Sequence, residues 1–145
     1  MEVQPYLFFD GRCEEAIEFY RKTLKAEVVM MMRFKDNPDL KANQGKPQQE
    51  AAACMPADLN KIMHSALRIG ETMILASDGR GEGKPEFKGI SLALTAASES
   101  EADQVFAALS DGGQVQLPLT KTFFSPRFGI VADRFGVNWM VVTKS

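Results

Sequence analysis

Hydrophobic and polar positions alternate with period two over residues 3–9, placing Pro5, Leu7 and Phe9 on one face and Tyr6 and Phe8 on the other. This pattern predicts a strand, ended by Asp10-Gly11. The period then becomes helical. Ala16, Ile17, Tyr20 and Leu24 recur at helical spacing, with Glu14 and Glu15 near the positive end of the dipole, so a helix is expected over 13–24. Residues 27–35 (EVVMMMRFK) read as a strand, whereas 36–59 are polar, contain proline and keep no sustained period. A connection of that length is expected to hold a short strand or to serve as a flap over a site. Residues 61–69 and 71–77 form a strand pair around Gly70-Glu71.

After Asp78 the stretch GRGEGKPEFKG reads as a polar linker, and the order of elements then starts again. Residues 90–96 (ISLALTA) alternate, and Ser98 with Glu101 offers a capping box. Ala102, Val105, Phe106 and Leu109 line one face of a helix that Gly112-Gly113 ends. Strands follow at 114–120, 128–133 and 137–143, with a turn at Arg134-Phe135-Gly136. Superposing Ala16 on Ala102 sets Pro5 against Ser91, Glu15 against Glu101, Phe19 against Val105 and Tyr20 against Phe106. Element order, more than residue identity, predicts an internal duplication within one domain of 145 residues, with modules at approximately 1–78 and 86–145. The expected fold class is α+β: two βαβββ modules forming a curved, cup-shaped mixed sheet with helices outside.

A single helix covers one face of such a sheet and leaves the other free to line a concavity. Ile90, Leu92 and Leu94 suit the covered face, while Ser91, Ala93 and Thr95 are small and leave room. On the last strand Trp139 and Val141 share one face and Asn138, Met140 and Val142 the other. With Trp139 in the core, Asn138 and Met140 face the cavity; Met140 reads equally well as core filler.

Composition narrows the function classes. The chain is 45% hydrophobic and 25% charged, the balance of a globular protein. Lys plus Arg number 17 against 19 Asp plus Glu, and no basic cluster stands out, which argues against a nucleic-acid partner. The longest apolar run, Val28 to Met32, is five residues against the roughly 18 needed to cross a bilayer, so no membrane partner is expected. The N-terminus shows no basic region followed by an apolar stretch, and there is no Asn-x-Ser/Thr sequon. Cys13 and Cys54 lack CxxC spacing, so a soluble cytoplasmic protein with free thiols is expected.

The chain has one histidine, His64. Alternation places it with Ala66 and Arg68 on one face, opposite Met63, Ser65, Leu67 and Ile69. A histidine beside an arginine on a sheet can grip an anion or exchange a proton near neutrality; a solvated edge is the plainer reading. A catalytic zinc site needs three protein donors, and neither HExxH nor a paired-cysteine motif is present, so no metal is expected. The glycines from Gly79 to Gly83 match neither GxxxxGK[ST] nor GxGxxG and lead into Pro85 and a strand, so no nucleotide-type cofactor is expected. No Gly-x-Ser-x-Gly occurs. The aromatic turn Phe123-Phe124-Ser125-Pro126-Arg127-Phe128 reads as an interface plug, or as a flap whose arginine closes over a small organic anion.

Three segments, PYLFFDGRCEEAIEFYRKTLKAE from Pro5, HSALRIGE from His64 and VADRFGVNWMV from Val131, resemble the PhnB-like branch of the glyoxalase, bleomycin-resistance and extradiol-dioxygenase superfamily, the vicinal oxygen chelate proteins. The resemblance covers nearly the whole chain, and DRFGVNWM is its most specific part. It implies the paired-module fold, and it implies metal ligands, His or Glu, on the first and last strands of each module. Those positions fall near Pro5, Leu75 or Ala76, Ser91 and Met140, none a strong ligand. Some relatives carry a name referring to demethylubiquinone methyl transfer, which implies a methyl-donor site that these residues do not display. Some resistance proteins of the superfamily sequester a drug in the clefts of a dimer without doing chemistry, a different precedent that the resemblance implies.

The favoured reading is therefore a metal-free, cofactor-free, glyoxalase-like cup that binds a small organic molecule through His64, Arg68, Ser91 and Met140, with catalysis left open. One alternative is a divergent lyase, isomerase or dioxygenase recruiting a divalent metal through Glu50, His64 and Glu71. Another is a non-catalytic assembly module using the aromatic turn and Met30-Met31-Met32. A homodimer is expected, since the resemblance implies pairing and the aromatic turn and sheet edges supply apolar area to cover.

Overall fold

Each half of the chain builds one four-stranded mixed sheet from the order strand, helix and three strands. The computed structural model describes residues 1–38, 58–79 and 83–144. Cys54, Glu50 and most of the segment read as a flap lie outside the described residues, as does the centre of the glycine-rich linker. The chain divides into two compact units, Met1–Pro85 and Glu86–Ser145.

In the first unit β1 (Tyr6–Phe8), α1 (Cys13–Leu24), β2 (Glu27–Arg33), β3 (Ile62–Ile69) and β4 (Thr72–Ser77) give the sheet order β1-β4-β3-β2. β1 runs parallel to β4 and the other pairs are antiparallel. α1 spans the residues its periodicity predicts and ends at Lys25, whose φ of 54° is left-handed. Its buried Cys13, Ala16, Ile17, Tyr20 and Leu24 share a core with Leu7, Phe9, Leu67, Ile74 and Ala76. A register shift makes Met63 an extra residue in β3, so Ile62 is buried although His64, two positions on, is half-exposed. β2 stops at Arg33, before a single 3₁₀ turn at Phe34–Asp36. The Arg33 guanidinium donates to the carbonyl of Asn60 at 2.7 Å and pairs with Glu14 of α1, holding that carboxyl below its usual range.

Asp78, which the sequence reads only as the start of a linker, is buried and joins three parts of the unit. Its Oδ1 accepts the N–H groups of Gly11 at 2.7 Å and Cys13 at 2.8 Å, and its Oδ2 accepts that of Ile62 at 2.8 Å. The carboxylate therefore satisfies donors at the start of α1 and the start of β3 from the end of β4.

The second unit repeats the topology with β5 (Leu92–Ala96), α2 (Glu99–Ser110), β6 (Gln114–Thr120), β7 (Phe128–Ala132) and β8 (Asn138–Thr143) in the order β5-β8-β7-β6. Ser98 Oγ accepts the N–H of Glu101 at 3.0 Å, but the Glu101 carboxylate reaches Ala97 rather than Ser98, at 2.6 Å. Ala102, Phe106 and Leu109 are buried, as are Ala96, Val131, Trp139 and Val141. β6 carries Pro118 and is mostly exposed, as suits an edge strand.

Two expectations change here. β5 begins at Leu92, so Ser91 precedes the strand and Ile90, 57% exposed, is not on the covered face. The repeat alignment also slips by one residue in the strands. Tyr6 pairs with Leu75 on the uncovered face of its sheet, and the corresponding pair in the second unit is Ala93 with Met140. Tyr6 thus corresponds to Ala93 and Pro5 to Leu92, because the connection from β1 to α1, residues 9–12, is longer than that from β5 to α2, residues 97–98.

Candidate functional site

On the first sheet α1 covers the face of Leu7, Leu67 and Ile74 and leaves the alternate residues of every strand on the other side. Strand pairing sets these in rows: Tyr6 beside Leu75, Leu75 beside Ala66 and Ala66 beside Met30; His64 beside Met32; and Arg68 beside Met73. Across β4, Tyr6 Oη and His64 Nδ1 lie 3.0 Å apart. Their rings stack with centroids 5.6 Å apart and planes at 27°, and Phe8 sits beside Tyr6 at 4.9 Å. Tyr6 is 37% and Phe8 53% exposed. The face therefore presents the Phe8 ring and a run of Met and Leu side chains around one hydrogen-bonded phenol and imidazole.

Arg68 shares this face, as alternation predicts, but the structure does not bring it to His64. Four residues along a strand separate their backbones by about 13 Å. The guanidinium instead pairs with Glu27 Oε2 at 3.2 Å, at the outer end of the β2–β3 pair. The partner that His64 does have, Tyr6, is missed by sequence reasoning. Alternation places Tyr6 and Phe8 on a common face, but only the parallel β1–β4 pairing brings that face within reach of β3.

In the second unit Met140 lies on the uncovered face between Ala93 and Ile130, and Trp139 is buried on the covered side. Asn138 is committed to structure: its Nδ2 donates to the carbonyl of Phe87 at 3.1 Å, and its Oδ1 accepts from Gln116 at 3.2 Å. Ser91 is exposed. In the aromatic turn Phe124 meets Phe123 and Phe128 edge-on at 5.1 Å each. Arg127 turns instead to α2, pairing with Glu99 at 3.0 Å and Asp103 at 3.2 Å, so closure of this arginine over an organic anion does not match its placement. The Ser125 hydroxyl is buried between the carbonyls of Arg127 at 2.6 Å and Thr143 at 2.7 Å, either of which can take its one proton, and it accepts the N–H of Thr143 at 3.2 Å, fastening the turn to β8.

Of the strand positions that the resemblance assigns to metal ligands, Leu75 and Met140 lie on uncovered faces and supply neither a nitrogen nor a carboxylate donor. Among the described residues no group of three or more His, Cys, Asp or Glu side chains is placed to hold a metal ion. The described residues at these strand positions do not fit the metal centre that the resemblance implies. Burial, with the nearby Asp78 charge adding to it, pushes the Cys13 thiol up to about 12, which leaves it protonated and inert at neutral pH. No helix of the described residues is long and apolar enough to cross a membrane.

Comparison with known proteins agrees with this architecture. A family model described as 3-demethylubiquinone-9 3-methyltransferase matches residues 1–142. Protein YjdN of Escherichia coli (strain K12) is 32% identical over 145 residues, covering 97% of this chain and 94% of that protein. The crystal structure of protein PA1353 from Pseudomonas aeruginosa superposes with a TM-score of 0.80 at 36% identity, over 99% of this chain and 98% of the other. The PhnB protein from Bacillus cereus does so with a TM-score of 0.77 at 25% identity, over 99% of each chain. Two βαβββ units, end-to-end relatives and a family match over nearly every residue agree: the chain belongs to the PhnB-like family described as 3-demethylubiquinone-9 3-methyltransferase, within the glyoxalase-like superfamily.

Proposed function

We propose that this protein binds a small organic molecule without a metal ion, on the uncovered sheet face of its first unit, with His64 as the principal polar contact. The observation that carries the reading is the Tyr6–His64 pair, a hydrogen-bonded polar couple beside the Phe8 ring and apolar side chains on a face that α1 leaves uncovered. A mostly apolar lining with a few convergent polar groups is the usual make-up of a ligand site. Arg68 lies at the end of the same face, where its ion pair with Glu27 offsets its charge; in the second unit Met140, on the uncovered face of its own sheet, and the exposed Ser91 are proposed as separate contacts. The family's description names a methyl transfer; the residues on this face offer ring contact and hydrogen bonding, which support binding and do not by themselves carry a transfer. The same proposal takes the protein to be a cytoplasmic homodimer, supported by the exposed Phe123 and Phe124.

Calorimetric titration of metal-stripped protein with a panel of small acids, aromatics and antibiotics tests the reading. At least one compound is expected to bind more tightly than millimolar, with a tenfold or greater loss in His64→Ala. Failure of every compound to reach millimolar affinity overturns it. Adding Zn, Ni, Mn or Fe is expected to leave the melting temperature unchanged; a stoichiometric metal that raises it would favour the divergent metalloenzyme.

A further inference from the structure

We infer that Tyr6 is a positioning residue that holds the single histidine as an Nε2–H donor, and that the ligand of this face is a ring-bearing molecule offering an acceptor oxygen. The inference rests on the binding face proposed above and adds the chemistry of what it selects. At 3.0 Å the contact between Tyr6 Oη and His64 Nδ1 is a hydrogen bond, and its direction decides the tautomer. A neutral imidazole has one lone-pair nitrogen and one N–H, and a phenol is a better donor than acceptor, so the O–H of Tyr6 donates to Nδ1. The ring proton then resides on Nε2. Among the described residues Nε2 has no protein partner. The stacked Tyr6 ring, itself flanked by Phe8, fixes the imidazole plane, and Phe8 leaves about half its surface open for a further ring. A flat ligand resting there meets an outward N–H, which calls for a carbonyl, carboxylate or phenolate oxygen and disfavours a group that can only donate.

The chain has one histidine, so protein labelled with ¹⁵N-histidine gives one imidazole to observe. Long-range proton–nitrogen correlation at about pH 8.5, above the ordinary imidazole range, reports which nitrogen is protonated. The wild-type protein is expected to carry its proton on Nε2 alone. Tyr6→Phe, which keeps a ring in place, is expected to show a mixture of the two neutral forms. Phe8→Leu, which disturbs the stack but not the hydrogen bond, is expected to keep the wild-type form. Three probes then read the ligand class: acetophenone and benzoate bring a ring and an acceptor, and benzylammonium brings a ring and donors only. Acetophenone and benzoate are expected to shift the Nε2 resonance, and Tyr6→Phe to weaken acetophenone roughly three- to tenfold, the effect of losing one neutral hydrogen bond's influence. A proton on Nδ1 in the wild type, or a pure Nε2–H form in Tyr6→Phe, overturns the role of Tyr6. Benzylammonium binding as tightly as acetophenone overturns the ligand class. A pure Nε2–H form with no probe bound at millimolar concentration overturns the proposed binding face and the ligand class with it, while the positioning of His64 by Tyr6 stands.

Discussion

The indole Nε1–H of Trp139 donates to Oδ2 of Asp133 at 2.9 Å, and both residues are buried. The other carboxylate oxygen accepts the N–H groups of Phe135 at 2.9 Å and Val137 at 3.1 Å, closing the turn between β7 and β8. One charge thus positions both the turn and the core tryptophan. Asp133→Ala leaves three buried donors unsatisfied and is expected to destabilise the protein by about 3–5 kcal/mol. Trp139→Phe removes one donor to a charged group and a larger ring, with an expected loss of about 2–4 kcal/mol. Urea unfolding followed by circular dichroism measures both; an Asp133→Ala loss below about 1 kcal/mol would show that the carboxylate does not organise the turn.

Asp78 plays the corresponding part in the first unit, with different donors. Asp78→Asn keeps one carbonyl oxygen but sets an NH₂ against either Ile62 N–H or the pair from Gly11 and Cys13. A loss of about 2–3 kcal/mol is expected. Hydrogen exchange is expected to accelerate at Gly11, Cys13 and Ile62 while the amides of Phe135 and Val137 stay protected, because the two carboxylates fasten separate units. Uniform acceleration in both units would contradict this division.

Gly129 has an ordinary backbone conformation, so only space argues for glycine there. A Cβ would lie 2.7 Å from Phe106 Cε2, 3.0 Å from the Leu117 carbonyl oxygen and 3.1 Å from Leu119 Cδ2. Gly129→Ala is expected to cost about 1–3 kcal/mol by overpacking, and Phe106→Leu in the same chain to recover part of that loss. At Gly113 the Cβ would meet the Ala132 carbonyl oxygen at 2.2 Å, a backbone atom. Gly113→Ala is therefore expected to cost more, and no side-chain change should rescue it. Equal recovery at the two positions would refute the distinction.

The elements and their covered faces were legible because periodicity reports burial. α1 occupies the predicted residues, and Leu7, Phe9, Trp139 and Val141 lie on the faces that alternation assigns. Asp78 and Asp133 were not legible as staples, since nothing in an isolated Asp-Gly or Asp-Arg pair says that distant amides converge on it. The site divides along the same line. His64 stood out as the one histidine, and its face was read correctly. Its partner depends on a parallel pairing between strands separated by nearly seventy residues, and charge alone suggested Arg68, which the chain spends on Glu27. Bulges at Val29 and Met63 and the longer β1–α1 connection likewise shift register without a signal in composition.

Burial of Cys13 makes stability depend on alkaline pH. In the folded protein burial, with the Asp78 charge adding to it, moves the thiol from an ordinary 9.0 to about 12. Above its ordinary value the thiol loses its proton in the unfolded chain but keeps it in the folded one, so the unfolded state binds fewer protons and stability falls as pH rises. The contribution is fully present below 9.0 and is lost progressively towards about 12. Cys13→Ala, made together with Cys54→Ala so that no other thiol titrates, is expected to cost about 1 kcal/mol near neutrality, from the small cavity it leaves. Between pH 9 and pH 10.5 its urea midpoint is expected to fall less than that of the Cys54→Ala protein. Tyrosine and lysine titrations are common to the two proteins and cancel in the difference. Parallel curves would show that the thiol ionises as readily in the folded protein as in the unfolded chain, and fast labelling of Cys13 by a thiol reagent without unfolding would show the same.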